Sequence, residues 1–400
     1  MKLNLEINKF VSSLSLAIDY VEKELIDVEP YHDKRVAYLT YKMGKHLNME
    51  NEKLSALTKA AVLHDVALSE YISDENVGDG LNNEEINMSQ HCVVGEEILK
   101  KFPFYNLVEG AVLYHHDAAD GSGAFGKIEE ETPLVGQIIH MADIIDVKFH
   151  LYDISREKYE AILKWIESAK GTIISEKCAN AFIEAVSYED LQKIEGEHVK
   201  NELEHLLPEE MMELSMDVVK DMASVFASIT DYKSPFTCRH SIGIAEKAFK
   251  MGQFYGYDQF ECDKLYVAGA LHDVGKLLVS NDILEKPDKL TDEEYAEIQN
   301  HAIGTDKMLS HIKGMEDIAR WAVQHHEKLD GTGYPYKLTG EYLDKNSRTL
   351  ACLDIYQALV EDRPYKKGMS HEVAMGILKK MGEQGKLDSE VIADVDKCFG

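Results

Sequence analysis

At 400 residues, with 44% hydrophobic and 29% charged side chains and only 8 Pro and 26 Gly, the chain is long and apolar enough for two or three packed cores. A small module and a fibrous or disordered protein are excluded. The net charge of -29, from 43 Lys plus Arg against 72 Asp plus Glu, repels polyanions over most of the surface, so no DNA or RNA partner is expected.

An anionic substrate would have to be met locally, by metal ions or a few placed cations. The start, MKLNLEINKF, lacks a secretory pattern, no run of roughly 18 apolar residues occurs, and the six cysteines include no C-x-x-C pair. Reduced thiols, a cytoplasmic location and no membrane partner are the expectation.

In chain order, His32 comes first, then His64-Asp65 in AAVLHDVAL, His91, His115-His116 and Asp143. The second half repeats the series with His240, His272-Asp273 in AGALHDVGK, His301, His325-His326 and Asp354, displaced by 208 to 211 positions. Seven correlated positions in order identify one module present twice, its drifting offset marking small loop insertions.

The pattern around these residues is helical. Asn82 with Glu85 can open a helix in the first copy. Thr237 can cap one after Pro235, with Ile242, Ala245, Ala248 and Phe249 at helical spacing behind it. Leu290-Thr291-Asp292-Glu293-Glu294 carries a capping box ahead of His301.

Between the copies, residues 155 to 225 are Glu- and Lys-rich with apolar residues three and four apart, interrupted at Pro208. The expectation is an all-α fold of tandem domains: 1–200, a connecting segment 201–228 whose helix runs near 209 to 228, and 229–400.

Five imidazoles and two carboxylates in the second copy suit Fe, Mn, Zn, Co or Ni more than magnesium. Seven ligands exceed what one ion with an open position takes, and they suit two ions bridged by a carboxylate. The ligands must converge from several helices, so the site is expected in a bundle core. His-Asp and His-His neighbours on one helix diverge by about 100°, so they share a centre only if it lies close against that helix. Two such ions can share a hydroxide and clamp a phosphoryl oxygen, favouring in-line phosphoester hydrolysis over di-iron oxygenase chemistry. Lys276, three residues after Asp273, can reach a phosphate or leaving oxygen there.

LHDVGK at 271–276 and HHEKLDGTGYP at 325–335 resemble the HD-GYP subgroup of the HD phosphohydrolases over roughly residues 226–380. The resemblance implies an all-helical hydrolase of cyclic dinucleotides, chiefly cyclic di-GMP, with two or three ions, usually iron or manganese. It implies that His240, His272, Asp273 and Asp354 hold one ion and that Asp273 bridges to a second on His301, His325 and His326. Lys276 matches the catalytic lysine. Tyr334 looks like a pocket-lining residue, Arg363 and Lys366 in DRPYK resemble cations that hold substrate, and Asp330 of the DGTGYP loop and Gln357 stand with them as implied substrate contacts.

Two departures bear on this. Phe236 stands where trinuclear members carry Glu, so two ions are expected, Fe or Mn. Gln357 replaces an Asp near the expected base pocket, which leaves 3′,3′-cyclic GMP-AMP open beside cyclic di-GMP.

The first copy keeps His32, His64, Asp65, His91, His115, His116 and Asp143, a second candidate metal site, but has Leu68 for the lysine and Asp120-Gly121-Ser122-Gly123-Ala124-Phe125 for DGTGYP. It reads as a degenerate regulatory or structural HD-like domain, with residual hydrolysis of another phosphoester as the alternative. The expected function is a metal-dependent phosphodiesterase giving a linear dinucleotide. A non-catalytic cyclic dinucleotide receptor with structural metals and a mononucleotide phosphohydrolase are the competitors. Partners expected are the cyclic dinucleotide and, as an open alternative, a second copy in a homodimer.

Overall fold

The computed structural model describes every residue except 27–28, 69–87, 233–239, 285, 287 and 363–366. The fold is all-α: among the described residues the named strands are Lys2–Glu6 and Met211–Ser215, five residues each, paired antiparallel with Leu3 opposite Leu214. The chain forms two compact units. Ile7–Glu210 make the N-terminal unit, and Met211–Gly400 together with Met1–Glu6 make the C-terminal one.

The segment joining the repeats differs from the expected helix. Helix His198–Leu206 ends before Pro208, Met211–Ser215 is a strand, and only Met216–Tyr232 is helical. The reason is a pairing partner more than 200 residues away in sequence: Lys2–Glu6 buries Leu3 and Leu5, and Leu214 turns inward opposite them. Five residues of alternation are too few to stand out inside a charged helical stretch.

Local sequence signals account for many helix starts. Ser155, Ser175 and Ser187 cap successive helices of the N-terminal unit. Asp258, Thr291, Asp344 and Ser370 do the same in the C-terminal one. Thr291 forms the expected capping box with Glu294, which opens helix Asp292–Leu309. The corresponding signals at Asn82, Glu85, Pro235 and Thr237 lie outside the described residues.

In helix His240–Phe254, Ile244, Ala248 and Met251 form the buried stripe. This helix crosses helix Gln259–Leu271 so closely that a Cβ on Gly269 would lie 2.9 Å from Ala245 Cα. That contact draws the start of the first helix, His240, toward the end of the second, His272.

Helix Lys345–Val360, which carries Asp354, is anchored at its start. Asp344 accepts from Ser347 N–H at 2.8 Å and Trp321 Nε1–H at 2.9 Å. It thereby ties that helix to Glu316–Val323, which leads into His325 and His326.

Candidate metal centre

The histidine-carboxylate pairs sit where helices end. Helix Gln259–Leu271 stops at Leu271, and Asp273 (φ -102, ψ 5) leads into the 3-10 turn Val274–Leu278. His325 and His326 lie in a second such turn, Gln324–His326, after helix Glu316–Val323. The neighbours are therefore not on one α-helix as expected. Adjacent residues on a 3-10 turn stand about 120° apart, further than on an α-helix, yet the His325 and His326 rings lie with their centroids 4.0 Å apart.

Seven side chains from distant segments meet. Asp273 Oδ2 lies 3.1 Å from His272 Nε2 and 3.9 Å from His240 Nε2. Its Oδ1 lies 3.5 Å from His301 Nε2 and 3.7 Å from His325 Nε2. Asp354 stands 3.5 Å from His240 Nε2 with one oxygen and 3.4 Å from His326 Nδ1 with the other. These spacings between would-be ligands match donors on a common ion better than direct hydrogen bonds.

Two observations show that the set fits metal. His272 Nε2 and Asp273 Oδ1 are buried and have no hydrogen-bond partner, a cost that a protein does not normally carry without compensation. In addition, His272, His301 and His325 each donate Nδ1–H to the carbonyl three residues back, of Gly269, Ile298 and Ala322, at 2.6–2.7 Å. Those bonds fix the tautomer that turns the Nε2 lone pair inward.

Burial pushes His301 down to about 3 and also lowers His325 and His326, so all three are neutral donors at neutral pH. Burial alone would raise Asp273, but His272 and the Lys276 ammonium beside it hold it well below the usual carboxylate range.

Lys276 Nζ lies 2.5 Å from Asp273 Oδ2, and its side chain is partly exposed. Burial opposes its charge, yet Asp273 and further carboxylates outweigh this and raise its pKa, keeping an ammonium at the edge of the centre.

The loop that follows frames the opening. The Tyr334 ring packs on His326 at 4.6 Å between centroids and on His301 at 6.0 Å. Glu327, fully buried, accepts from Tyr336 N–H and Leu338 N–H and braces the loop from within. Asp330 is exposed and accepts from Thr332 N–H and Oγ1–H, so its carboxylate shapes the turn. Gly333 is required by space, since a Cβ there would lie 2.4 Å from Lys328 N. Arg363, Lys366 and Phe236 lie outside the described residues.

Gln357 is buried, and its amide donates to Glu361 Oε1 at 3.0 Å. Glu361 Oε2 in turn receives His240 Nδ1–H at 2.9 Å. Glu361, which sequence reasoning missed, thus orients a metal-binding imidazole, with Gln357 holding Glu361. In the N-terminal unit Asp146 binds His32 Nδ1 directly at 2.7 Å and is gripped by the buried Arg35 at 2.6 and 2.8 Å. Gly243 occupies Arg35's place in the second copy, and a Cβ there would lie 2.5 Å from Gln357 Nε2. Arg35 with Asp146, and Gly243 with Gln357 and Glu361, are two packings of one device.

The N-terminal cluster repeats the same geometry. Asp65 oxygens lie 3.5 Å from His64, 3.7 Å from His91 and 3.5 Å from His115. Asp143 lies 3.4 Å from His32 and 3.8 Å from His116. Leu68 is buried where Lys276 stands in the other copy, and Ala124 N–H bonds the His116 carbonyl as Tyr334 N–H bonds that of His326. The loop keeps this backbone bond without the tyrosine ring, and Leu68 leaves the rim without a cation.

Among the described residues no helix is long and apolar enough to cross a membrane. Family models described as HD domain match residues 31–148 and 223–391. The chain is 28% identical over 397 residues to 3′3′-cGAMP-specific phosphodiesterase 1 of Vibrio cholerae serotype O1, covering 97% of this chain and 90% of that one. A cyclic di-GMP phosphodiesterase of the same organism is 39% identical over 127 residues, covering 28% of this chain and 25% of that one. A solved cyclic GMP-AMP-specific phosphodiesterase from V. cholerae superposes with a TM-score of 0.66 at 21% identity, over 99% of this chain and 98% of that one, a likeness of fold. Two matched halves, each bearing the His-Asp pair at its centre, place this chain in the HD-domain family as a tandem of two HD domains, the second of the HD-GYP type.

Proposed function

We propose that the C-terminal unit is a metal-dependent phosphodiesterase that opens a cyclic dinucleotide to a linear one. The observation that carries this reading is the ring around Asp273: unsatisfied donors turned inward, with Lys276 as a charged neighbour at the rim. His240, His272, Asp273 and Asp354 would hold one divalent ion, and Asp273, His301, His325 and His326 the other. Iron or manganese suits this nitrogen-oxygen set. When bound, such a pair supplies Lewis acidity and an activated water.

The chain's own residues supply the rest. Three imidazoles kept neutral by burial bind without first losing a proton. The Lys276 ammonium stabilises charge growing on the phosphoryl group and can pass a proton to the departing 3′ oxygen as the P–O3′ bond breaks and the bond to water oxygen forms. Tyr334 offers a ring face beside the imidazoles, suited to a base or ribose. Arg363 and Lys366 complete the proposal as cations for the second phosphate.

Of the two substrates, 3′,3′-cyclic GMP-AMP is favoured. The cGAMP-specific relative matches through both domains, whereas the cyclic di-GMP enzyme matches over 127 residues. Among the described residues Cys92, Cys178, Cys262, Cys352 and Cys398 are not disulfide-linked, which supports the cytoplasm as its place. The test is relative turnover of both cyclic dinucleotides by the full chain loaded with manganese or iron. Faster opening of cyclic GMP-AMP is expected. Exclusive opening of cyclic di-GMP would reverse the preference, and tight binding of either without turnover would establish the receptor instead.

A further inference from the structure

The two units differ at one position inside the ligand ring. Where the C-terminal unit has Ala302, after His301, the N-terminal unit has Cys92, after His91. Cys92 is fully buried, with Sγ 3.6 Å from His91 Nε2 and 3.7 Å from His115 Nδ1. Donor atoms of Cys92, His91, His115 and His116 all lie within 4.8 Å of one another. In the C-terminal unit the matching group is Asp273 with His301, His325 and His326.

The spacings at His91 Nε2 suit a tetrahedral ion. Bonds of roughly 2.0 Å to nitrogen and 2.3 Å to sulfur place nitrogen-nitrogen pairs about 3.3 Å and nitrogen-sulfur pairs about 3.6 Å apart. Here His91 Nε2 and His115 Nε2 are 3.4 Å apart, and the thiol is 3.6 Å from His91 Nε2. His115 Nδ1–H donates to the Val112 carbonyl at 2.6 Å, which presents its Nε2 to the centre. Independently of the thiol, Asp65 Oδ1, 3.7 Å from His91 Nε2 and 3.5 Å from His115 Nε2, and His64 Nε2 are buried atoms without hydrogen-bond partners.

We propose that the N-terminal unit binds a zinc-type ion through the Cys92 thiolate with His91, His115 and His116. A thiolate in the fourth position closes the coordination, as in structural rather than catalytic zinc sites, and selects a softer ion than the all-nitrogen-and-oxygen set of the other unit. Leu68 in place of a lysine agrees, since a closed site meets no phosphate. The chain then carries two metal centres of unlike softness, and this inference stands apart from the activity proposed for the other unit.

The experiment is cobalt substitution of the full-length chain, read by absorption. Cobalt bound at Cys92 gives a near-ultraviolet sulfur-to-metal charge-transfer band, whereas the C-terminal centre, lacking sulfur, contributes only weak visible bands. The band is expected in the parent protein and absent in both Cys92→Ala and Cys92→Ser, with the visible bands of the other centre kept as proof of folding. Zinc affinity of the N-terminal site should drop by at least about a hundredfold in the variants. A cobalt-saturated parent chain without the charge-transfer band, or a band that persists in Cys92→Ser, overturns the proposal.

Discussion

Lys276 and Asp273 make different contributions, and substitution separates them. Lys276→Ala removes the rim cation but no ligand, so metal content should be unchanged while kcat falls about 100- to 1,000-fold. Asp273→Asn removes the anion that faces both halves of the ring, so metal content and turnover should be lost together. Elemental analysis beside initial rates distinguishes the two cases. Glu361→Gln leaves an amide where His240 Nδ1–H now meets a carboxylate. Metal affinity should drop roughly 10- to 100-fold, with kcat recovered at saturating metal.

These residues were unequally legible in the sequence. Imidazole-carboxylate pairs repeat because few other side chains do their chemistry, so comparing the halves reveals them. Glu361 has no such mark: its role depends on Gln357 filling the space that Gly243 leaves, a contact made across 114 residues. Cys92 passes as one of six scattered thiols until the repeat is aligned and Ala302 falls opposite it.

Among elements, the informative positions are those where backbones nearly touch. A Cβ on Gly275 would lie 1.9 Å from His301 O and 2.3 Å from Thr305 N, main-chain atoms that cannot rotate away. The turn Val274–Leu278 must therefore part from helix Asp292–Leu309. Gly275→Ala should destabilise the C-terminal unit by about 1–3 kcal/mol or more, seen as a lower thermal midpoint, with weakened metal binding because His301 shifts away from Asp273.

Helices announced by Thr291-x-x-Glu294 or by apolar spacing were readable, since capping and amphipathicity are local. The strand Met211–Ser215 was not, because its partner is the chain's own start. Nor were the 3-10 turn that follows His272-Asp273 and the one that holds His325-His326, since no local pattern marks where the α-helix gives way to either.

At the level of the whole molecule, the two halves share a ligand ring but differ in what surrounds it. In the N-terminal unit, Lys34 is enclosed with Asp19 and Asp33. Burial, with Asp33 beside it and against the pull of Lys34, pushes Asp19 up to about 7. An unfolded chain ionises such a carboxyl near its ordinary value of about 4. Ionisation therefore favours unfolding, and the stability present at low pH is lost as pH rises through that window. Between about pH 5 and 7 the parent protein should lose stability relative to Asp19→Asn, whose midpoint lacks this component. Parallel melting curves for the two would count against it.

By the proposed reaction, water cleaves a nucleotide phosphodiester at the Asp273 ring. Its most direct test is a reaction of manganese-loaded full-length protein with 3′,3′-cyclic GMP-AMP in oxygen-18 water, followed by mass spectrometry. A linear dinucleotide carrying one heavy oxygen on its terminal phosphate is expected. Cyclic substrate recovered intact from fully metal-loaded protein would contradict it.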